Sequence, residues 1–224
     1  MTDARAQELL DLGNRLFTAK EPLDSLCQEI AEQCYPERAD FTSPHNLGDD
    51  FAAHLSDSFP ILARRELGNS FSAILRTRDK QWFAATTNDE ELDQDAGNAR
   101  FLEMITKTVR SAMYDPRTSM IGSTKAVDHD FAAFGNAIIS IEEYRKTQDG
   151  TPHLYYKPHH LRDCAWLEND IGVVDHLHRK DRMTARAMKR KFGENKLADA
   201  VKKACEKEPH KEFELRVVVM PTDE

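Results

Sequence analysis

The hydrophobic pattern of this 224-residue chain changes its period near Gly135, and that change limits the folds open to it. Before this glycine, apolar residues recur every three or four positions, as they do on one face of a helix. After it, short β-rich runs alternate with turn sequences. The sequence therefore predicts an α+β fold that is mainly helical over residues 1–135 and forms an antiparallel sheet over residues 136–183.

Five helices are predicted before Gly135, and prolines mark several of their ends. Pro22 suits a first helical turn, where its missing N–H is not needed, whereas Pro36 and Pro116 stop helices because the residue before a proline avoids the helical region. The predicted spans are residues 3–18, 22–35, 58–75, 93–114 and 119–134. The positions expected to face inward are Leu62, Leu67, Phe71 and Ile74 on the third helix, and Leu102, Ile105, Val109 and Met113 on the fourth.

Four short strands are predicted after Gly135, at residues 137–145, 153–157, 163–168 and 173–180. Asp149-Gly150 is a strong hairpin signal, and Asn169-Asp170 marks a second turn. Such a run of strands is typical of a small antiparallel sheet or barrel. We expect Ile139, Tyr156 and Trp166 to be buried together in it, because large side chains dominate core burial.

The last part of the chain predicts short helices near residues 184–192 and 195–205, followed by a markedly apolar strand, Glu212–Met220. An unpaired apolar strand is a liability that proteins usually cover. Either this strand pairs back into the earlier sheet, or the natural chain continues beyond residue 224; we expect the second.

Composition and charge narrow the function classes. No apolar run approaches the roughly 20 residues of a membrane span, and the N-terminus lacks the pattern of a signal peptide, so we expect a cytosolic product. The net charge of −8 argues against tight binding to DNA phosphates. The four cysteines are expected to be free thiols, since Cys27 and Cys34 stand about 10 Å apart on one helix, too far for a disulfide.

Histidines supply the candidates for a metal site. His176 and His178 share one face of a predicted strand, and a zinc site can be drawn from them together with His159, His160, Cys164 and Asp175. No pair among them has a recognised zinc spacing, and a solvated polar face is the alternative interpretation that we favour.

Three charged clusters have structural alternatives of their own. Asp128-His129-Asp130 resembles a catalytic fragment, but consecutive helical residues point about 100° apart, so we expect solvated or capping residues. The acidic stretch Asp89-Glu90-Glu91, with Asp93 and Asp95, suits a helix N-terminus. A basic cluster comprises Arg179, Lys180, Arg182, Arg186, Lys189, Arg190 and Lys191. We interpret it as a solvated helix end, with a contact to phosphates as the alternative.

The sequence contains no P-loop, GxGxxG, GxSxG or HExxH motif, and no serine stands at a diagnostic distance from a base. Sequence chemistry therefore predicts no enzyme, no catalytic residue and no cofactor.

Five stretches, in order along the chain, resemble the head-to-tail connecting (portal) proteins of short-tailed phages. They are LARRELGNSFSAILRTRDKQWF (Leu62–Phe83), AMYDP (Ala112–Pro116), DHDFAAFGNAIISIEE (Asp128–Glu143), LYYKPHHLRDCAWLENDIGVVDHLHRKDRMTARAMKRKFG (Leu154–Gly193) and EFELRVVVMP (Glu212–Pro221). The resemblance implies a helical wing region over residues 1–135 and a small antiparallel β-barrel-like module with a following helix over residues 136–193. Residues 194–224 would then hold a helix and the first strand of a clip region.

The resemblance also implies a function. Such a protein is a structural virion component that forms a homo-oligomeric ring, dodecameric for the full-length family member, at one capsid vertex. Double-stranded DNA passes through its channel without tight or specific binding, while terminase, capsid or scaffold proteins and tail adaptor proteins dock to it. The protein would be found in the virion, in the host cytoplasm before assembly, and in no membrane.

Portals of this group are considerably longer than this chain, and their stem, tunnel loop and crown fall outside it, so we expect the 224 residues alone to self-associate weakly. The resemblance does not identify the channel-lining residues. Two other classes stay open: a metal-dependent nucleic-acid enzyme that uses the His159–His178 segment, and a ligand- or peptide-binding module built on the β segment.

Overall fold

A computed structural model describes residues 3–44, 46, 48, 50, 55–77, 79–144 and 152–221. Within these ranges the chain forms α1 (Asp3–Ala19), α2 (Glu21–Cys34), α3 (Phe59–Leu75), α4 (Glu90–Gln94), α5 (Ala96–Met113), α6 (Met120–Phe134), α7 (Ala185–Phe192) and α8 (Asp199–Lys207). The strands are β1 (Ile138–Tyr144), β2 (His153–His159), β3 (Cys164–Glu168), β4 (Val174–Thr184) and β5 (Glu212–Val219). The predicted mixed helix-and-sheet fold class is confirmed.

Local signals set several of the helix ends. Gly135 ends α6 in the left-handed region at φ 70°, and its N–H donates to the carbonyl of Phe131. The helix predicted over residues 93–114 starts at Ala96, because Asp95 has an extended backbone and its side chain accepts hydrogen bonds from the N–H groups of Gly97 and Asn98. The short helix α4 precedes it. Asp89 caps α4 in the same way, which agrees with the interpretation of the acidic stretch as a helix N-terminus.

The strands form two sheets rather than one. β1 and β2 pair antiparallel from Ile138 opposite His159 to Tyr144 opposite His153. The Asp149-Gly150 turn predicted between these strands lies outside the described residues. β3, β4 and β5 form a separate antiparallel sheet in that order, and the described strands close no barrel.

The apolar last strand is paired, which corrects the expectation that it lacks a partner. β5 runs antiparallel along β4 from Glu212 opposite Thr184 to Val219 opposite Leu177. Its partner precedes it by about thirty residues, with α7 and α8 in between, so no turn signal next to β5 reveals the pairing.

The predicted single-sheet cluster of Ile139, Tyr156 and Trp166 is divided between two sheets. Tyr156 is buried on β2, and Ile139 is half-buried on β1. Trp166 lies on β3, in the other sheet, where it is half-buried opposite Leu177. The prediction was wrong because it assumed one continuous sheet.

The contacts divide the chain into two compact units. The central unit comprises Ser25–His160 and contains α3 to α6 with the β1–β2 hairpin. The terminal unit comprises Met1–Asp24 and Leu161–Glu224 and contains α1, the three-stranded sheet, α7 and α8. The wing, β-module and clip boundaries expected from the family resemblance stay a prediction.

Within the described ranges, no helix is long and apolar enough to cross a membrane. All four cysteines are free thiols. Burial raises the pKa of the Cys164 thiol to about 12, which keeps it protonated and unreactive at neutral pH.

Candidate functional site

Three consecutive residues of α6, Asp128-His129-Asp130, each contact a different arginine. The Arg76 guanidinium donates to both carboxylate oxygens of Asp128 through Nη2. Arg38 donates to Asp130 through Nε at 3.0 Å and Nη2 at 2.7 Å. The three arginines come from separate places in the sequence, so the arrangement depends on the tertiary fold.

The middle residue is a neutral histidine. Arg64 Nη1 lies 3.1 Å from His129 Nδ1, and because a guanidinium can only donate, Nδ1 accepts this hydrogen bond. Burial lowers the pKa of His129, and the neighbouring charges of Arg64 and Lys125 lower it further. The imidazole is therefore uncharged at neutral pH.

With this geometry, Asp128, His129 and Asp130 cannot act together as a catalytic triad does. The expectation that they are solvated or capping residues was also wrong. The three side chains leave α6 in different directions, as their helical spacing requires, so they do not converge on a substrate. Asp128 and Asp130 are only 6% and 2% exposed, respectively. They are buried ion-pair partners, since a buried carboxylate needs hydrogen bonds and a compensating charge.

Arg64 links three elements of the central unit. Its guanidinium carbon lies 3.8 Å from the centre of the Tyr35 ring, and its Nε donates to the carbonyl of Cys34 at the end of α2. The side chain is buried, whereas Arg65 and Glu66 directly after it on α3 are exposed. Nothing in the sequence distinguishes Arg64 from the exposed Arg65 beside it, so its contacts were not predicted.

Gly68 allows α3 to approach α6 closely. A Cβ atom at this position would lie 2.2 Å from His129 Nδ1 and 2.8 Å from its Cε1, distances that real side chains do not adopt. One turn further along α3, Phe71 packs edge-on against Phe131, with ring centres 5.5 Å apart. The buried side of α3 is therefore the side that carries Arg64 and Gly68.

The opposite side of α3 carries four exposed large apolar side chains, with Glu66 and Ser70 between them. We call it the apolar face; it consists of Phe59, Leu62, Leu67 and Ile74, which are 69%, 52%, 48% and 75% exposed. At 100° per residue these four fall within an arc of about 140°, centred opposite Gly68. The prediction that Leu62, Leu67 and Ile74 are buried was wrong, because α3 has apolar residues on both sides and the arginine contacts decide which side turns inward.

The same correction applies to part of α5. Val109 was expected to face inward and is 42% exposed, while Leu102, Ile105 and Met113 are half-buried. Phe101 and Met104 of this helix are exposed as well. Contiguous exposed apolar residues on soluble proteins commonly mark interaction surfaces.

Four of the residues proposed for a metal site, His159, His160, Asp175 and His176, already have other partners. His159 Nε2 lies 2.8 Å from Ser140 Oγ, His160 Nε2 lies 2.7 Å from Asp40 Oδ1, and His176 Nδ1 lies 2.8 Å from Asp175 Oδ1. His159 and His160 belong to the central unit, whereas Cys164, Asp175, His176 and His178 belong to the terminal unit. Among the residues with described positions, no three His, Cys, Asp or Glu side chains are grouped as metal ligands would be.

The strand histidines are buried rather than solvated. His176 and His178 of β4 are 6% and 2% exposed. A Cβ atom on Gly13 of α1 would lie 2.7 Å from His178 Nδ1, so α1 packs directly on this ring. The expectation of a polar, solvated strand face was wrong because α1 covers this side of the sheet.

The basic cluster separates into two groups. Arg179 is buried and pairs with Asp181, and Lys180 Nζ lies 3.9 Å from the centre of the Phe17 ring. The remaining members, Arg182, Arg186, Lys189, Arg190 and Lys191, are exposed.

Comparison with known proteins identifies the class. The family model for bacteriophage head to tail connecting proteins matches residues 6–224. Since the match takes in nearly the whole chain, the chain belongs to the bacteriophage head-to-tail connecting protein family, as the resemblance predicted. A probable portal protein of Bordetella phage BPP-1 is 24% identical over 194 residues, which make up 86% of this chain and 34% of that protein. The chain thus spans about a third of the length of this curated relative.

Proposed function

We propose that this chain is a structural portal component of a bacteriophage virion, acting in a ring at one capsid vertex. The observation that carries the proposal is the family match over residues 6–224, which covers both units. Double-stranded DNA would enter and leave the head through the ring without tight binding. Terminase, capsid or scaffold proteins and a tail adaptor would dock to it, and before assembly it would be in the host cytoplasm.

The site geometry supports a structural role over a catalytic one. Asp128, His129 and Asp130 are engaged by arginines and point in three directions, so they serve packing. A metal-dependent enzyme, the alternative considered from the sequence, would need a group of metal ligands, and the described side chains contain none. No observation favours it as a second candidate.

The apolar face of α3 supports assembly. The exposure of four large apolar side chains on one side of a helix is unfavourable for a free monomer in water. A neighbouring protein surface that covers them makes association favourable. In a ring, each subunit presents two different surfaces to its neighbours, and such contacts need apolar area at their centre. We assign the apolar face to a subunit or docking contact of this kind.

Immunoelectron microscopy of phage particles tests the proposal. Antibodies raised against the purified chain should label one vertex of tail-free or disrupted particles. Mass spectrometry should also detect the protein in purified virions. Label spread evenly over the capsid shell, or a protein absent from purified particles, would contradict the portal role.

A further inference from the structure

The segment from Arg182 to Lys211 is strongly basic in a chain whose net charge is −8. It contains ten lysines and arginines against four acidic residues, a net charge of +6. The segment comprises the end of β4, the helices α7 and α8, and the short connections that follow each helix. We call it the basic hairpin.

The basic hairpin folds so that its cations stay outside. The inner sides of α7 and α8 meet in a core of Ala185, Met188, Leu197, Val201 and Ala204. The N–H groups of Ala185 and Arg186 donate to the carbonyls of Lys211 and Pro209, which places the start of α7 beside the end of α8. The helices are thus antiparallel neighbours, and charged residues of both helices share the outer surface.

Five of these cations are exposed and form no ion pair with another described residue: Arg182, Arg186, Lys196, Lys203 and Lys207. Others in the segment are compensated, since Lys189 pairs with Glu194, Lys202 with Asp199 and Lys211 with Glu208. The surface therefore holds a surplus of positive charge that an external anion can neutralise.

The side chains between the cations indicate what kind of anion fits. From residue 175 to residue 218, all of which are described, no large apolar side chain is exposed. Protein–protein contacts depend on buried aromatic or aliphatic anchors at their centre, whereas contacts with a phosphate backbone are polar and strongly positive on the protein side. We infer that the basic hairpin contacts the phosphate backbone of double-stranded DNA, without reading its sequence.

The expected strength follows from the number of free cations. If all five contact phosphates, the logarithm of the binding constant falls against the logarithm of salt concentration with a slope of about −4.5. Raising the salt from 50 to 200 mM then weakens binding by about 500-fold. A contact this sensitive to salt is transient under physiological conditions, and the acidic remainder of the chain weakens it further. The inference adds a DNA-contacting surface and does not depend on ring formation.

Fluorescence anisotropy with a labelled 30-base-pair duplex of arbitrary sequence tests the inference on the full 224-residue chain. The variant Arg186→Gln/Lys203→Gln/Lys207→Gln removes three charges while keeping aliphatic stems on the helices. We expect the native chain to bind at 50 mM salt with a dissociation constant of about 10 µM, which a slope of about −4.5 raises to about 1 mM at 150 mM salt. The triple variant should bind at least about tenfold more weakly, with a salt slope reduced by about 3.

The control variant Lys80→Gln/Arg100→Gln/Lys125→Gln removes the same charge from three exposed, unpaired positions of the central unit. It should bind the duplex nearly as well as the native chain. Equal losses in both variants would show that only net charge matters, and no binding up to about 100 µM at 50 mM salt would exclude a DNA contact. If the hairpin variant keeps its DNA affinity but loses self-association in sedimentation, the basic hairpin binds an acidic protein surface and the inference is wrong.

Discussion

Replacing Gly68 by alanine tests whether the close approach of α3 and α6 determines the stability of the central unit. The added Cβ would lie 2.2, 2.8 and 3.0 Å from three atoms of the His129 ring. The ring cannot simply turn aside, because Nδ1 accepts a hydrogen bond from Arg64. Either the helices separate by about 1 Å or that hydrogen bond breaks.

Both responses are costly. Overpacking of this kind costs about 1–3 kcal/mol, and a hydrogen bond to a charged group contributes about 1.5–3 kcal/mol. Alanine recovers only about 1 kcal/mol, because it is a better helix former than glycine. We expect Gly68→Ala to lower the free energy of unfolding by about 1 kcal/mol, and by at most about 2 kcal/mol.

Gly122 provides a matched control in α6, because a Cβ there would meet no atom within 4 Å. Gly122→Ala should leave the free energy of unfolding unchanged or raise it by up to about 1 kcal/mol. Urea unfolding can be followed by circular dichroism and by tryptophan fluorescence, to which Trp82 of the central unit contributes. A second control is His129→Ala, which removes the ring: adding Gly68→Ala to it should cost little. A Gly68→Ala protein as stable as the native chain would refute the packing argument.

Three further predictions concern the same region. Asp130→Asn should lower the free energy of unfolding by about 2 kcal/mol, because it leaves the guanidinium of Arg38 without its charged partner in a largely buried position; an unchanged urea midpoint would contradict this. Burial holds the pKa of His129 below its usual value of 6.5, so as the pH drops the unfolded chain protonates this imidazole before the folded chain does. The free energy of unfolding should therefore fall below about pH 6.5, by at most about 1.4 kcal/mol per pH unit for this group. The pH dependence of the urea midpoint between pH 7.5 and 5.5 should become shallower in His129→Gln. Light scattering at micromolar concentration should give a monomer or small oligomer, and a stable dodecamer would show that the ring-closing surface lies within these residues. Leu62→Ser/Leu67→Ser should reduce any self-association while lowering stability by only about 1–3 kcal/mol, since both side chains are about half exposed.

The sequence predicts those parts of the fold that depend on neighbouring residues. The prolines near the ends of several helices, the glycine at position 135 and the β-rich runs that form β1 and β2 are local signals, and the corresponding elements are present. The pairing of β4 with β5 is not local, because α7 and α8 intervene. No period or turn near Glu212 indicates that its partner is Thr184.

The candidate site was predicted less well, for a physical reason. Periodicity shows that α3 is apolar but cannot show which of its two apolar sides is buried. Arg38, Arg64 and Arg76 decide this through contacts with α6 that span 52 to 92 residues along the chain. The pattern Asp128-His129-Asp130 was correctly placed on a helix, but its arginine partners could not be inferred from spacing.

The polar network inside the central unit and the apolar face outside it are consequences of one arrangement. Apolar contacts are not directional, so a helix with apolar residues on both sides could pack on α6 through either of them. Hydrogen-bonded charges are directional, and Arg64 reaches His129 only when Gly68 faces α6. Buried ion pairs contribute little net stability compared with apolar residues of similar size, but in some proteins they select one packing over another. Here the selected packing leaves Phe59, Leu62, Leu67 and Ile74 on the outside, where a second protein surface can cover them.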